Sequence, residues 1–143
     1  MGCWSYQLFC DDVSLDVLEE LADSEELVAD LEGYLDEAIM AKDEYLEYEV
    51  CQYALTAAAI VDAAINGTDW ALLTEDGEEL EEFATVIAGA SSQGVSDLQD
   101  KAAMVMDIAM KEDSELRELW EENEDFYQSW LDNLEEIKNR LKR

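Results

Sequence analysis

Histidine and proline are both missing from this 143-residue chain, and lysine and arginine together number only eight. Without histidine, Ser-His-Asp triads, Cys-His pairs and histidine-ligated metal sites are excluded. Without proline, no ring interrupts a helix from within. The three cysteines, Cys3, Cys10 and Cys51, are odd in number and form no Cys-x-x-Cys pair, so the plain expectation is reduced thiols packed as small hydrophobes. Glycine is sparse. The richest stretch, Gly89–Gly94, lacks the lysine and the spacing of a phosphate-binding loop. No apolar run reaches membrane-spanning length. The most apolar segment, Ala54–Ile65, is short and broken by Thr56 and Asp62. No basic region followed by an apolar stretch opens the chain. The expectation is a soluble, cytoplasmic protein that binds neither membrane nor nucleic acid, since both are anionic.

What the chain has in excess is negative charge. Asp and Glu number 38, for a formal net charge of −30. The distribution is uneven: residues 1–110 hold 27 acidic residues against Lys42 and Lys101, whereas residues 111–143 hold 11 against six basic ones. Apolar residues still make up 49% of the sequence, with four Trp, and the acids are interleaved with them at helical spacing. That composition specifies a folded domain, not an acidic tail. The length suits a single domain over residues 1–143.

The periodicity predicts an all-α fold: a compact bundle of about six or seven helices around a central alanine-rich helix. After an aromatic lead, Met1–Cys10, a first helix is expected over 12–22, with Val13, Val17, Leu18 and Leu21 on one face. Ser24 is expected to cap a second over 25–41, with a stripe of Leu27, Leu31, Leu35 and Ile39. The third, over 43–66, is apolar on more than one face and is therefore the central element. It stops at Asn66-Gly67, a pair suited to a left-handed residue. Thr68–Gly77 reads as a polar connection, 78–89 as a fourth helix, and Gly89–Gly94 as a loop. Ser96 and Gln99 form a capping-box pattern for a fifth helix over 97–111. Asp113 or Ser114 caps a short helix carrying Leu116, Leu119 and Trp120. A last helix over 124–141 carries Tyr127, Trp130, Leu131, Leu134, Ile137 and Leu141. Its terminal Lys138, Arg140, Lys142 and Arg143 match the helix dipole.

Three stretches resemble one family. They are Met1-Gly2-Cys3-Trp4 followed by Phe9, Asp11-Asp12 and Leu15-Asp16; the alanine-rich Ala54–Gly67; and Ser114-Glu115-Leu116-Arg117-Glu118-Leu119-Trp120-Glu121-Glu122 with Trp130-Leu131 and Leu141. Together they resemble the bacterial family catalogued as domain of unknown function 4259. Ser5-Tyr6-Gln7-Leu8 departs from the Gly-rich residues usual there. The resemblance implies a small, acidic, largely helical protein and supplies no catalytic motif.

No residue constellation marks chemistry. Thr74-Glu75-Asp76-Gly77 has the look of a calcium-loop centre, but Leu72 stands where the first ligand is needed. Carboxylate pairs such as Glu19-Glu20, Glu78-Glu79 and Glu81-Glu82 are too common to single out a site. A solvated helix face explains each one. No metal, cofactor or catalytic residue is therefore expected. Tyr34, Tyr45 and Tyr48 lie amid acids and suit interface anchors. Thirty charges equal those on about 50 Å of duplex DNA, on a chain roughly 37 Å across by the scaling of compact chains. The expected partner is a basic protein, a toxin or nuclease, reached by electrostatic steering. The candidate partner-binding residues are Glu19, Glu20, Glu25, Glu26, Asp30, Asp36, Glu37, Asp43, Glu44, Tyr45, Glu47, Tyr48 and Glu49. The expected role is a non-enzymatic acidic inhibitor, an immunity protein against a bacterial toxin. The alternatives are a phage-type DNA mimic that blocks a host nuclease, and a metal-binding protein or uncharacterised enzyme.

Overall fold

A computed structural model describes residues 12–67, 81–111 and 113–142, with backbone only at 12–15, 82 and 83. The expected N-terminal lead, Cys3, Cys10, the Thr68–Gly77 connection, and the side chains of Val13, Leu80 and Phe83 lie outside the described residues. Among the described residues seven α-helices follow one another: α1 (Asp12–Ala22), α2 (Leu27–Met40), α3 (Tyr48–Asn66), α4 (Glu81–Gln93), α5 (Gln99–Ala109), α6 (Glu115–Glu121) and α7 (Tyr127–Leu141). A 3₁₀ turn, Ser96–Leu98, leads into α5. Among the described residues there is no strand, and an isolated parallel bridge joins Leu46 to Ser114.

The bundle is built around α3, which packs against all six of the other described helices. Every residue from Ala54 to Ala63 is buried. The alanines Ala54, Ala57, Ala58 and Ala59 give α3 a thin waist, so neighbours approach on several sides. Thr56, fully buried, donates its hydroxyl to the Gln52 carbonyl at 2.8 Å, which satisfies it within the helix. The periodic stripes then close the core. Leu27, Leu31, Leu35 and Ala38 are buried on α2, and Ala102, Val105, Met106 and Ala109 on α5. On α7 the buried residues Trp130, Leu134, Ile137 and Leu141 recur at alternating four- and three-residue steps. Trp120 stacks on Trp130 at 6.1 Å between ring centroids. Each buried Leu, Ile, Val or Met among them contributes about 1.5–3 kcal/mol by burial.

Three boundaries differ from the sequence expectation, each because tertiary contact overrides local pattern. The third helix begins at Tyr48, not at 43. The Leu46 N–H donates to the Asp113 carbonyl at 2.8 Å, and the Leu46 carbonyl accepts from the Glu115 N–H at 2.9 Å. Its backbone groups are thus spent on another segment while its side chain is buried. Asp43, Glu44, Tyr45 and Glu47 therefore sit on a connection, not on a helix. The fourth helix runs on to Gln93, through the expected loop. Gly89 lies inside it, where a Cβ would stand 3.1 Å from Leu27 Cδ2, so this glycine serves a close helix approach. The stop falls at Gly94, with φ +87°. Ser96 and Gln99 make no capping box: no side-chain cap is present there, and Gln99 Nε2 donates to the Leu141 carbonyl at 2.5 Å instead.

Smaller shifts occur elsewhere. Ser24 organises the start of α2 one turn early, accepting from the Glu26 N–H at 3.1 Å and donating to Asp30 Oδ2 at 2.5 Å. The last helix begins at Tyr127, three residues late. Gly67 ends α3 with φ +88°, as its position after Asn66 requires. Ser114 caps α6 by accepting from the Arg117 N–H at 3.4 Å.

Candidate functional site

The few basic residues decide where the negative charge is left open. Lys101 of α5 reaches Glu32 at 3.1 Å and Asp36 at 2.8 Å on α2. Lys138 of α7 pairs with Asp107 of α5 at 2.6 Å. Arg117 holds Glu121 at 2.9 Å and the Tyr127 hydroxyl at 3.1 Å. Arg140 pairs with the buried Asp62 of α3. Lys138 and Arg140 are thus seam-closing partners for other helices, which goes beyond the dipole match expected of them, and Arg143 lies outside the described residues. The exposed pairs are individually worth little. Collectively they neutralise the α2–α5 and α5–α7 seams. None of the described ion pairs reaches the face formed by α1, the opposite flank of α2 and the first turns of α3.

That face carries two shallow hollows floored by tyrosine. One, about 420 Å³, is lined by Asp16, Glu19, Glu20 and Asp23 of α1 and by Tyr53 of α3. The other, about 490 Å³, is lined by Tyr45, Glu47, Tyr48, Glu49 and Glu115. Glu49 and Tyr53, one turn apart on α3, join them. Tyr34 of α2 meets Tyr53 edge to face at 5.2 Å and donates to Glu20 Oε2 at 3.4 Å. Burial, then Glu20 and Asp30, push the Tyr34 hydroxyl up to about 12. The Tyr53 hydroxyl is raised by burial and then by Glu20, Glu49, Asp16 and Glu37. Carboxylates from three helices therefore act on one hydroxyl.

The second hollow is edged by Tyr45, which is 49% exposed. Its hydroxyl donates to Glu118 Oε2 at 3.0 Å, and local desolvation followed by Glu118 pushes it up to about 12. Glu115 Oε1 accepts the Tyr48 N–H at 2.7 Å, capping the first turn of α3 from another segment.

The predicted residues divide accordingly. Glu19, Glu20, Tyr45, Glu47, Tyr48 and Glu49 line the hollows, and Asp30 and Glu37 flank the Tyr34–Tyr53 pair. Asp36 is taken by Lys101 on the far flank of α2. Glu25 and Glu26 lie at the α1–α2 turn, and Asp43 and Glu44 on the exposed connection before α3. Tyr48 is half-buried against the core, so of the paired anchors only Tyr45 stands well out. The sequence reading missed Tyr53, Asp16, Asp23 and Glu115. The i, i+3, i+4, i+7 spacing of Asp16, Glu19, Glu20 and Asp23 was a usable signal for one α1 stripe. Tyr53 was obscured by the apolar run around it.

Chemically, the face offers carboxylate acceptors beside neutral phenol rings. That combination suits a guanidinium or ammonium, which can lie on a ring and bond a carboxylate at its edge. Among the described residues no group of three or more Cys, Asp or Glu is placed to hold a metal ion, and no helix is long and apolar enough to cross a membrane.

The profile of the family described as Domain of unknown function (DUF4259) matches residues 2–133. No curated protein and no solved structure gives a match.

Proposed function

The chain belongs to the DUF4259 family, and from that premise we propose that it is a non-enzymatic acidic inhibitor that binds and neutralises a basic protein, acting as an immunity protein against a bacterial toxin. One observation carries this reading. Asp16, Glu20, Glu37 and Glu49 act together on Tyr53, Glu20 and Asp30 act on Tyr34, and no described ion pair engages any of these carboxylates. Like charge held together without a counter-charge works against the compact state. Its retention on rigid helices gives a pre-shaped surface that a cationic partner completes. The tyrosines supply contact area with little side-chain entropy to lose, and the carboxylates steer the encounter.

The test is co-expression with the product of a neighbouring gene that arrests growth when expressed alone. Growth should be restored, and the purified pair should associate at a rate that falls steeply with added salt. Persistent arrest with no complex would overturn the reading. Displacement of the chain by duplex DNA would shift it to a DNA mimic acting on a nuclease groove.

A further inference from the structure

The stretch beginning at Ser114 lies against the connection that edges the acidic face. Segment 111–118 meets the connection 41–48 at four points. Leu46 is bridged to it by two backbone hydrogen bonds, to Asp113 and Glu115. Glu115 accepts the Tyr48 N–H, and Glu118 accepts the Tyr45 hydroxyl. Lys111 is the fourth contact. Its Nζ donates to three backbone carbonyls, of Ala41 at 3.2 Å, Lys42 at 2.6 Å and Glu44 at 2.5 Å. All three donor sites of the ammonium are filled by one turn of chain. That turn follows the C-terminus of α2, where carbonyls lack helical partners and a cation is favoured.

We propose that Lys111 and Glu115 are positioning residues: they clasp the 41–48 connection and so fix the shape of the hollow that Tyr45, Glu47 and Glu49 present to the partner. The proposal rests on the docking role given above for that face. Lys111 acts at a distance from the hollow, through the carbonyls it gathers. Glu115 acts on both sides, fixing the first amide of α3 and lining the hollow itself. The clasp accounts for the use of one of only eight basic residues on backbone carbonyls in a chain with 38 acidic residues. It also gives Glu115 and Glu118 a purpose beyond helix formation.

The charge makes the proposal separable from plain electrostatics. Removing one positive charge from a chain of net charge −30 should strengthen its attraction for a cation. The clasp predicts the opposite for Lys111. The experiment compares wild type, Lys111→Met, Glu115→Ala and, as a charge-matched control, Lys101→Met. Amide hydrogen exchange is followed by mass spectrometry, and binding of an octa-arginine peptide by titration. In Lys111→Met and Glu115→Ala, exchange over 42–48 should quicken by about tenfold or more while α5 and α7 keep their protection. In Lys101→Met it should not change. Octa-arginine should bind Lys111→Met several-fold more weakly than wild type, and Lys101→Met at least as tightly as wild type.

Unchanged exchange over 42–48 in both clasp variants would overturn the clasp. Should Lys111→Met lose protection everywhere, Glu115→Ala decides, because it leaves the lysine in place. A loosened connection with octa-arginine still bound as tightly as in Lys101→Met would overturn the positioning role. Failure of wild type to bind octa-arginine at all would count against the docking reading itself, with the exchange comparison still judging the clasp.

Discussion

Arg140, near the end of the last helix, holds the carboxylate of Asp62, one turn before the end of the central one. Its Nε lies 3.0 Å from Oδ2 and 3.3 Å from Oδ1, and its Nη2 also donates to Oδ2. Asn66 completes the arrangement, donating to Asp62 Oδ1 at 3.0 Å and to the Arg140 carbonyl at 3.1 Å. Asp62 is 2% exposed. The carboxylate that interrupts the apolar run of α3 is thus the point where α7 is tied to the core. Replacing Arg140 by Ala strands a buried charge and should cost about 3–5 kcal/mol in urea unfolding. Adding Asp62→Leu to an Arg140→Met chain should recover most of that loss, because the penalty comes from the unpaired charge. An Arg140→Ala protein as stable as wild type would show that the pair does not hold α7.

Cys51 gives a test of burial at the seam between α3 and α6. Its thiol is 1% exposed and lies 3.9 Å from Ser114 Oγ. Burial pushes it from an ordinary 9.0 up to about 12, against small opposing effects of Ser114 and Lys111. Only the thiolate is nucleophilic, so alkylation by iodoacetamide at pH 8 should be slow in the native state and fast in urea. The folded value is raised, so its contribution to stability is complete below pH 9.0 and is lost as the pH rises toward about 12. Tyr34 and Tyr45, raised from 10.0 to about 12, act with the same sign. Urea midpoints should therefore fall progressively above pH 9. A flat midpoint between pH 8 and 11 would contradict this.

Much of the architecture was legible from periodicity alone. The stripes on α2, α5 and α7 and the encirclement of α3 follow from where Leu, Ala and Trp recur, because burying those faces is the main gain available to an acidic chain. The family likewise followed from residues quoted from the sequence. What sequence could not convey was long-range pairing. Leu46 looks like one more helical residue until Asp113 and Glu115 claim its backbone groups. Gly89 looks like a loop glycine until Leu27 is seen beside it. The candidate face was partly legible for the same reason. Glu19, Glu20 and Glu49 were read from charge density, but only tertiary packing shows that Lys101 removes Asp36 from the set and that Tyr53 and Glu115 join it.

Gly67 is a backbone position that tolerates a side chain poorly. At φ +88° and ψ 163° it occupies a region that residues with a Cβ rarely enter, although nothing lies within 4 Å of where a Cβ would stand. The expected cost of Gly67→Ala is therefore backbone strain alone, about 1–3 kcal/mol. Gly33, inside α2, also has nothing within 4 Å and has ordinary helical geometry. Gly33→Ala should be neutral or stabilising by up to about 1 kcal/mol. Thermal unfolding of the two variants checks the contrast, and equal effects would refute it.

Salt should act on the fold and on the proposed complex in opposite directions. A net charge of −30 repels itself across a small domain. The screening length falls from about 10 Å at 0.1 M salt to about 3 Å at 1 M, so the melting temperature should rise over that range. The same screening removes the attraction that steers a cationic partner to the α1–α3 face, so the association rate should drop by about tenfold or more. Neutralising Glu20 and Glu49 together with Gln separates the two effects. These carboxylates flank Tyr53 and belong to no described ion pair. The double variant should melt no lower than wild type, associate more slowly with the target, and show a shallower dependence of that rate on salt. Neutralising Glu32 and Asp36, which Lys101 already engages, should leave association nearly unchanged. If the two double variants slow association equally, net charge alone governs the encounter and the tyrosine-floored face has no special part in it.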